Sequence, residues 1–111
     1  MAADARHLLI ETQGSWNGPN SARFLEDAAV LAESGESVTV LLLQDGVFTA
    51  VTGADSELDR LDALGVAVWV DDFSLAQRAL SAGRLAGAAT VTGMDAVAEL
   101  LLAGSCRVVW H

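Results

Sequence analysis

VTVLLLQDGVF, Val38 to Phe48, decides the fold: an apolar run stops at Gln44-Asp45-Gly46 and restarts as a helix-like segment. Apolar residues at consecutive rather than alternate positions mean that both faces of the strand are covered, as in a parallel sheet between helix layers. Polar residues at the carboxyl end of such a strand stand where α/β proteins meet ligands and partners, which makes Gln44 and Asp45 candidate contact residues.

On the amino-terminal side, HLLIETQ (His7 to Gln13) reads as a first strand, and Gly14-Ser15-Trp16-Asn17-Gly18-Pro19-Asn20 is a dense cluster of turn formers. From Ser21, the residues Phe24, Leu25, Ala28, Ala29, Leu31 and Ala32 recur near helical spacing, and Ser34-Gly35 supplies a stop. On the carboxyl side, a short helix is expected after Asp45 and a second one after a break around Gly53, over Asp55 to Leu64. VAVWV (Val66 to Val70) reads as a third strand closed by Asp71-Asp72, with Asp72 the expected N-cap of a helix over Phe73 to Leu80. Ala88 to Thr92 is a short fourth strand, Met94 to Leu102 a helix with Gly104 at its carboxyl end, and Arg107 to Trp110 a last strand. Repeated βα units with right-handed crossovers predict a three-layer α/β/α fold with a mostly parallel sheet of about five strands. No internal repeat, low-complexity segment or linker divides the chain.

The composition bounds the function classes. With 111 residues, 52% of them hydrophobic, the chain builds one domain over residues 1–111. Six basic against fifteen acidic residues give a net charge of −9, which disfavours direct binding to nucleic acid. Cys106 is the one cysteine and cannot form an internal disulfide, and MAADARH lacks the basic and apolar regions of a signal peptide, so a reduced, cytoplasmic setting is expected. No apolar run approaches the roughly 18 to 20 residues that span a bilayer, and no membrane association is expected.

Three stretches together resemble a known pattern. LLLQDGV (Leu41 to Val47), VWVDDFSLAQRAL (Val68 to Leu80) and the closing VTGMDAVAELLLAGSCRVVW are similar to the DsrH/TusB branch of the DsrE/DsrF/DsrH family of sulfur-relay proteins. The amino-terminal HLLIETQGSWNGPNSARFLEDAAVLAESG looks more like the DsrE side of that family. The resemblance implies a DsrE-like fold, association into homo- or hetero-oligomers with DsrE-family subunits and, in catalytic subunits, a cysteine just after the third strand that receives a persulfide. Asp71 stands at that place in this chain. A carboxylate cannot carry a sulfane sulfur, so the resemblance points to a partner subunit and away from a carrier.

The other candidates were weighed on their chemistry. A sulfur carrier needs an exposed thiolate of lowered pKa. Cys106 begins the last strand, on the edge opposite the expected ligand edge, and reads as a small, partly buried thiol. The carboxyl ends of the strands bring Gln13 to Asn17, Gln44-Asp45, Asp71-Asp72, Thr92-Gly93 and His111 to one edge. Without a spaced ligand motif no metal is expected there, since Asp45 and Asp72 precede helices and His111 is expected to fray. Gly14 to Asn20 lacks the spacing of a phosphate-binding fingerprint and has no lysine. Trp16 in that polar loop is a packing lid or an interface anchor, Trp69 a core residue, and Trp110 a core residue or a subunit contact. No cofactor is called for. The expected function is a non-catalytic oligomeric subunit or binding module linked to sulfur relay. The alternatives are a sulfur carrier using Cys106 and a small-molecule binder using the strand-end cleft near Trp16, Asp45 and Asp71; the candidate ligand or partner contacts are Gly14, Ser15, Trp16, Asn17, Gln44, Asp45, Asp71 and Asp72.

Overall fold

Five strands, β1 (Arg6–Glu11), β2 (Ser37–Leu42), β3 (Ala67–Asp71), β4 (Ala89–Thr92) and β5 (Cys106–Trp110), make one sheet in the order β4-β3-β2-β1-β5. Every pairing in it is parallel. The structure is a computed structural model and describes residues 6–51, 57–104 and 106–111. The helices are α1 (Asn20–Glu33), α2 (Glu57–Ala63), α3 (Asp72–Gln77) and α4 (Met94–Leu102), with short 3-10 helices at Ser15–Asn17, Gln44–Ala50 and Ala82–Arg84.

The strand order assigns the helices to faces. From β1 to β4 the chain moves one strand at a time in one direction, so right-handed crossovers place α1, α2 and α3 on the same side. The return from β4 to β5 runs back across the sheet and puts α4 on the other side. The side chains agree with this. Leu9, Val40 and Val68, neighbours in register, belong to the larger core with Leu25, Ala28, Leu58, Leu61 and Leu75 of α1, α2 and α3. The intervening row, Ile10, Leu41 and Trp69, packs with Val97 and Leu100 of α4. Leu8, Leu9, Val40, Leu41 and Leu42 are all essentially inaccessible, as the consecutive apolar pattern of the two central strands requires.

Among the described residues, one face is therefore covered by three α-helices and the other by α4 alone. This unequal cover accounts for Trp69, which is partly buried against α4, and for Trp110, which is 63% exposed at the end of edge strand β5. On the thicker side Arg60 of α2 pairs with Glu26 and Glu33 of α1 and with Glu57 one turn back. The hydrogen bond that Arg60 donates to Glu26, then the one to Glu33, holds the guanidinium above its ordinary pKa.

Several expected boundaries shift. The segment after Asp45 is a 3-10 helix, not an α-helix, and the break placed around Gly53 lies outside the described residues, as does the start of the segment at Asp55. The helix after β3 stops at Gln77 instead of Leu80, because Ala79 takes a left-handed conformation with φ of 54°. Its N-cap is Asp71 rather than Asp72: the Asp71 carboxylate accepts from Ser74 N, and Asp72 is the first helical residue. Among the described residues no helix is long and apolar enough to cross a membrane.

Candidate functional site

In a parallel sheet all carboxyl ends meet at one edge, and the side chains there divide between two faces by strand alternation. Glu11 of β1 is in register with Leu42 and Val70 and so faces α1, whereas Asp71 is in register with Thr92 and faces the α4 side with Trp69. The residues expected to converge there thus form two separate groups on opposite faces of one edge.

The first group lies between β1 and β5, where the strand order reverses. Glu11 is completely buried, and its carboxylate is tied to His111, whose Nδ1–H donates to both oxygens at 2.8 Å. Gln13 N adds a second donor, to Oε2 at 2.9 Å. His111 does not fray, contrary to expectation. Its backbone N donates to Ile10 O, its carbonyl accepts from Thr12 N and Thr12 Oγ1, and its ring stacks on Phe24 with centroids 5.1 Å apart. Three backbone and side-chain bonds and one buried carboxylate hold it. Nearby, Asn17 Nδ2 donates to Gln13 Oε1, and Trp16 meets Phe48 edge-on at 5.3 Å while remaining 60% exposed. Trp16 is thus a partial lid, closing over the 3-10 helix that follows β2, and its indole leaves no room for a side chain at Gly14. Ser15 and Asn17, beside it, are exposed.

The second group is built on Asp71 at the end of β3. Oδ2 of this buried carboxylate accepts from Ser74 N at 2.9 Å and from Ser74 Oγ at 2.7 Å. Ser74 Oγ in turn accepts from Gln44 N at 2.9 Å, so the loop after β2 is bound to the cap of α3. Gln44 adopts φ of 53°, a left-handed conformation that costs a non-glycine residue about 1 kcal/mol or more and recurs at working sites. Asp71 Oδ1 is buried without a partner among the described residues, and so is Oγ1 of its register neighbour Thr92. Asp71 also lines a cleft of about 300 Å³. Its walls are Leu43, Phe73 and Met94, with Gln44 and Gln77 at the sides and Asp71 and Ser74 beneath.

Asp45 belongs to neither group as a free ligand. Arg78 Nε and Nη2 both donate to its Oδ1, at 3.1 and 2.9 Å, and Arg78 Nη1 donates to Ser74 O. The pair fastens α3 onto the loop after β2, and Asp45 caps no helix with its side chain. Gly46 is needed for a different reason: a Cβ there would stand 2.1 Å from the carbonyl oxygen of Glu11, which is accepting from Leu43 N. Asp72 is exposed at the start of α3. Cys106 is partly buried at the amino end of β5, on the α4 face beside Leu8 and Ile10, so the length of the sheet separates it from Asp71. Among the described residues no three His, Cys, Asp or Glu side chains gather closely enough to hold a metal ion.

Sequence reasoning missed Glu11, His111 and Ser74 as partners. The signal for Glu11 was its position at the end of a strand buried on both faces, where a carboxylate needs a counter-charge. For Ser74, it was the D-x-x-S spacing after β3.

Neither a protein-family model nor a curated protein sequence matches the chain. Solved structures do. The chain is similar to the ychN protein of E. coli, with a TM-score of 0.85 at 17% identity over 96% of this chain and 98% of that one. It is also similar to BT1422 of Bacteroides thetaiotaomicron, described as a conserved protein of unknown function (TM-score 0.80, 12% identity, 100% and 98% covered). A third likeness is to MTH1491 of Methanobacterium thermoautotrophicum, also of unknown function (0.78, 12%, 96% and 98%). At such identities the likeness establishes the shared α/β fold.

Proposed function

We propose that this chain is a non-catalytic subunit of a DsrE-like assembly, which supports sulfur transfer by binding partner subunits rather than by carrying sulfur. The observation that carries the reading is Asp71. It occupies the position after the third strand that the family resemblance gives to the relay cysteine, and it is committed to capping α3 through Ser74. A thiolate nucleophile is thereby replaced by a structural acceptor. The one thiol, Cys106, is partly buried at the far edge of the sheet, away from the strand ends that carry Asp71. Support for partner binding comes from the thinly covered α4 face, where Leu102, Trp110 and Val108 stay exposed at 85%, 63% and 45%.

The test is intact-mass measurement after incubation with an excess of a low-molecular-weight persulfide, followed by gel filtration. The expected result is an unchanged mass. A stable gain of one sulfur atom that disappears in Cys106→Ala would overturn the non-catalytic reading in favour of a carrier.

A further inference from the structure

We infer that the cleft over Asp71 is a binding site for a small organic cation, an ammonium or amidinium group on an apolar body. The inference does not depend on the subunit reading.

Three observations carry it. The first is an imbalance within one carboxylate. Ser74 supplies both donors that Oδ2 receives, while Oδ1, equally buried, receives none among the described residues. A buried polar oxygen without a partner destabilises the fold, so its retention calls for a partner that comes and goes. The second is that, among the described residues, no cation is bonded to this carboxylate. Arg78, the nearest guanidinium along α3, spends its donors on Asp45 and on the carbonyl of Ser74. The third is the enclosure. The cleft of about 300 Å³ is at the lower end of small-molecule sites, and its apolar walls, Leu43, Phe73 and Met94, suit a flat or aliphatic body.

The floor is held in place before any ligand arrives. Gln44 N, Ser74 Oγ and Asp71 Oδ2 form a continuous chain of hydrogen bonds that fixes the carboxylate and the strained turn at Gln44 together. The walls, in contrast, can adjust. Phe73 is 65% and Met94 47% exposed, so both side chains can change rotamer to admit a ligand. The net charge of −9 favours a cation over an anion at every approach.

The experiment titrates the full chain with benzamidine, with its neutral isostere benzamide and with benzoate, following backbone amide shifts by NMR and affinity by calorimetry. Benzamidine is expected to shift the amides of Gln44 and Ser74 and to bind roughly tenfold or more tighter than benzamide, as one charge-assisted hydrogen bond implies. Benzoate is expected not to bind. Asp71→Asn should abolish the preference for benzamidine. Should that variant fail to fold, Met94→Ala and Phe73→Ala, which leave the cap of α3 intact, should each weaken benzamidine several-fold. Absence of benzamidine binding, equal binding of benzamide, shifts confined to residues away from the cleft, or wild-type affinity in the variants would each overturn the site. So would a cleft closed by a second copy of the chain, which would exclude all three probes.

Discussion

Glu11 shows how one residue can set the architecture of an edge. A carboxylate with no exposed surface needs hydrogen-bond donors, and His111 supplies one with Nδ1 at 2.8 Å from both oxygens. Removing the imidazole would leave the buried carboxylate only the donor from Gln13 N among the described residues. His111→Ala is therefore expected to destabilise the fold by about 3 kcal/mol in urea unfolding, at the lower end of the cost of breaking a buried pair because the ring is partly exposed. Adding Glu11→Gln to that variant should recover part of the loss, since a neutral amide costs less to bury; a loss below about 0.5 kcal/mol in the single variant would mean that the pair contributes nothing. Residues of this kind were the least legible in the sequence. Glu11 and His111 are 100 positions apart, and nothing in either neighbourhood announces the other. The end of the third strand at Asp71-Asp72 is legible in the sequence, but which of the two carboxylates caps α3 is not, because that choice depends on where β3 hands over to α3.

At the scale of elements the apolar periodicity carried most of the information. Val38 to Leu43 announced a strand covered on both faces, and β2 is inaccessible at Val40, Leu41 and Leu42. Helix ends were legible wherever glycine marks them: α1, α2 and α4 are followed by Gly35, Gly65 and Gly104 with φ of 90°, 83° and 80°. α3 is the exception. Ala79 makes the same left-handed turn at φ of 54°, and with no glycine to signal it, the helix was expected to run on to Leu80. Alanine pays a steric penalty of about 1 to 2 kcal/mol in that conformation, while glycine costs about 0.4 to 1 kcal/mol through the entropy of the unfolded chain. Ala79→Gly is accordingly expected to stabilise the protein by about 0.5 kcal/mol, read as a higher urea midpoint at unchanged slope. The reverse change at the end of α2, Gly65→Ala, should lower the midpoint; if both changes moved it the same way, backbone strain would not be the cause.

For the whole molecule, the unequal cover of the sheet matters most. Among the described residues, three α-helices lie on one face and only α4, nine residues long, on the other. Edge strand β5 runs beside this thin layer with Val108, Val109 and Trp110 at 45%, 47% and 63% exposure, and α4 ends on Leu101 and Leu102 at 44% and 85%. Exposed apolar side chains on an open strand edge are what monomeric proteins avoid, by charge or by cover. Here β5 offers Arg107 as its one charge, although the chain as a whole carries −9, so the negative charge that would keep copies apart is concentrated elsewhere. Copies of the chain, or of a partner with a matching apolar face, are expected to meet on this surface. Gel filtration with light scattering should give a mass that is a multiple of 11.5 kDa at micromolar concentration. Val108→Lys and Leu102→Lys place a cation on the surface without touching the core and should shift the mass to the monomer, with the circular dichroism unchanged. Phe73→Ala should leave the mass as it is, because Phe73 lines the cleft at the carboxyl edge of the sheet, whereas Leu102 lies at the far end of α4. A wild-type chain that runs alone at 11.5 kDa would require a different partner for the same face, and a mass unmoved by both lysines would place the interface elsewhere.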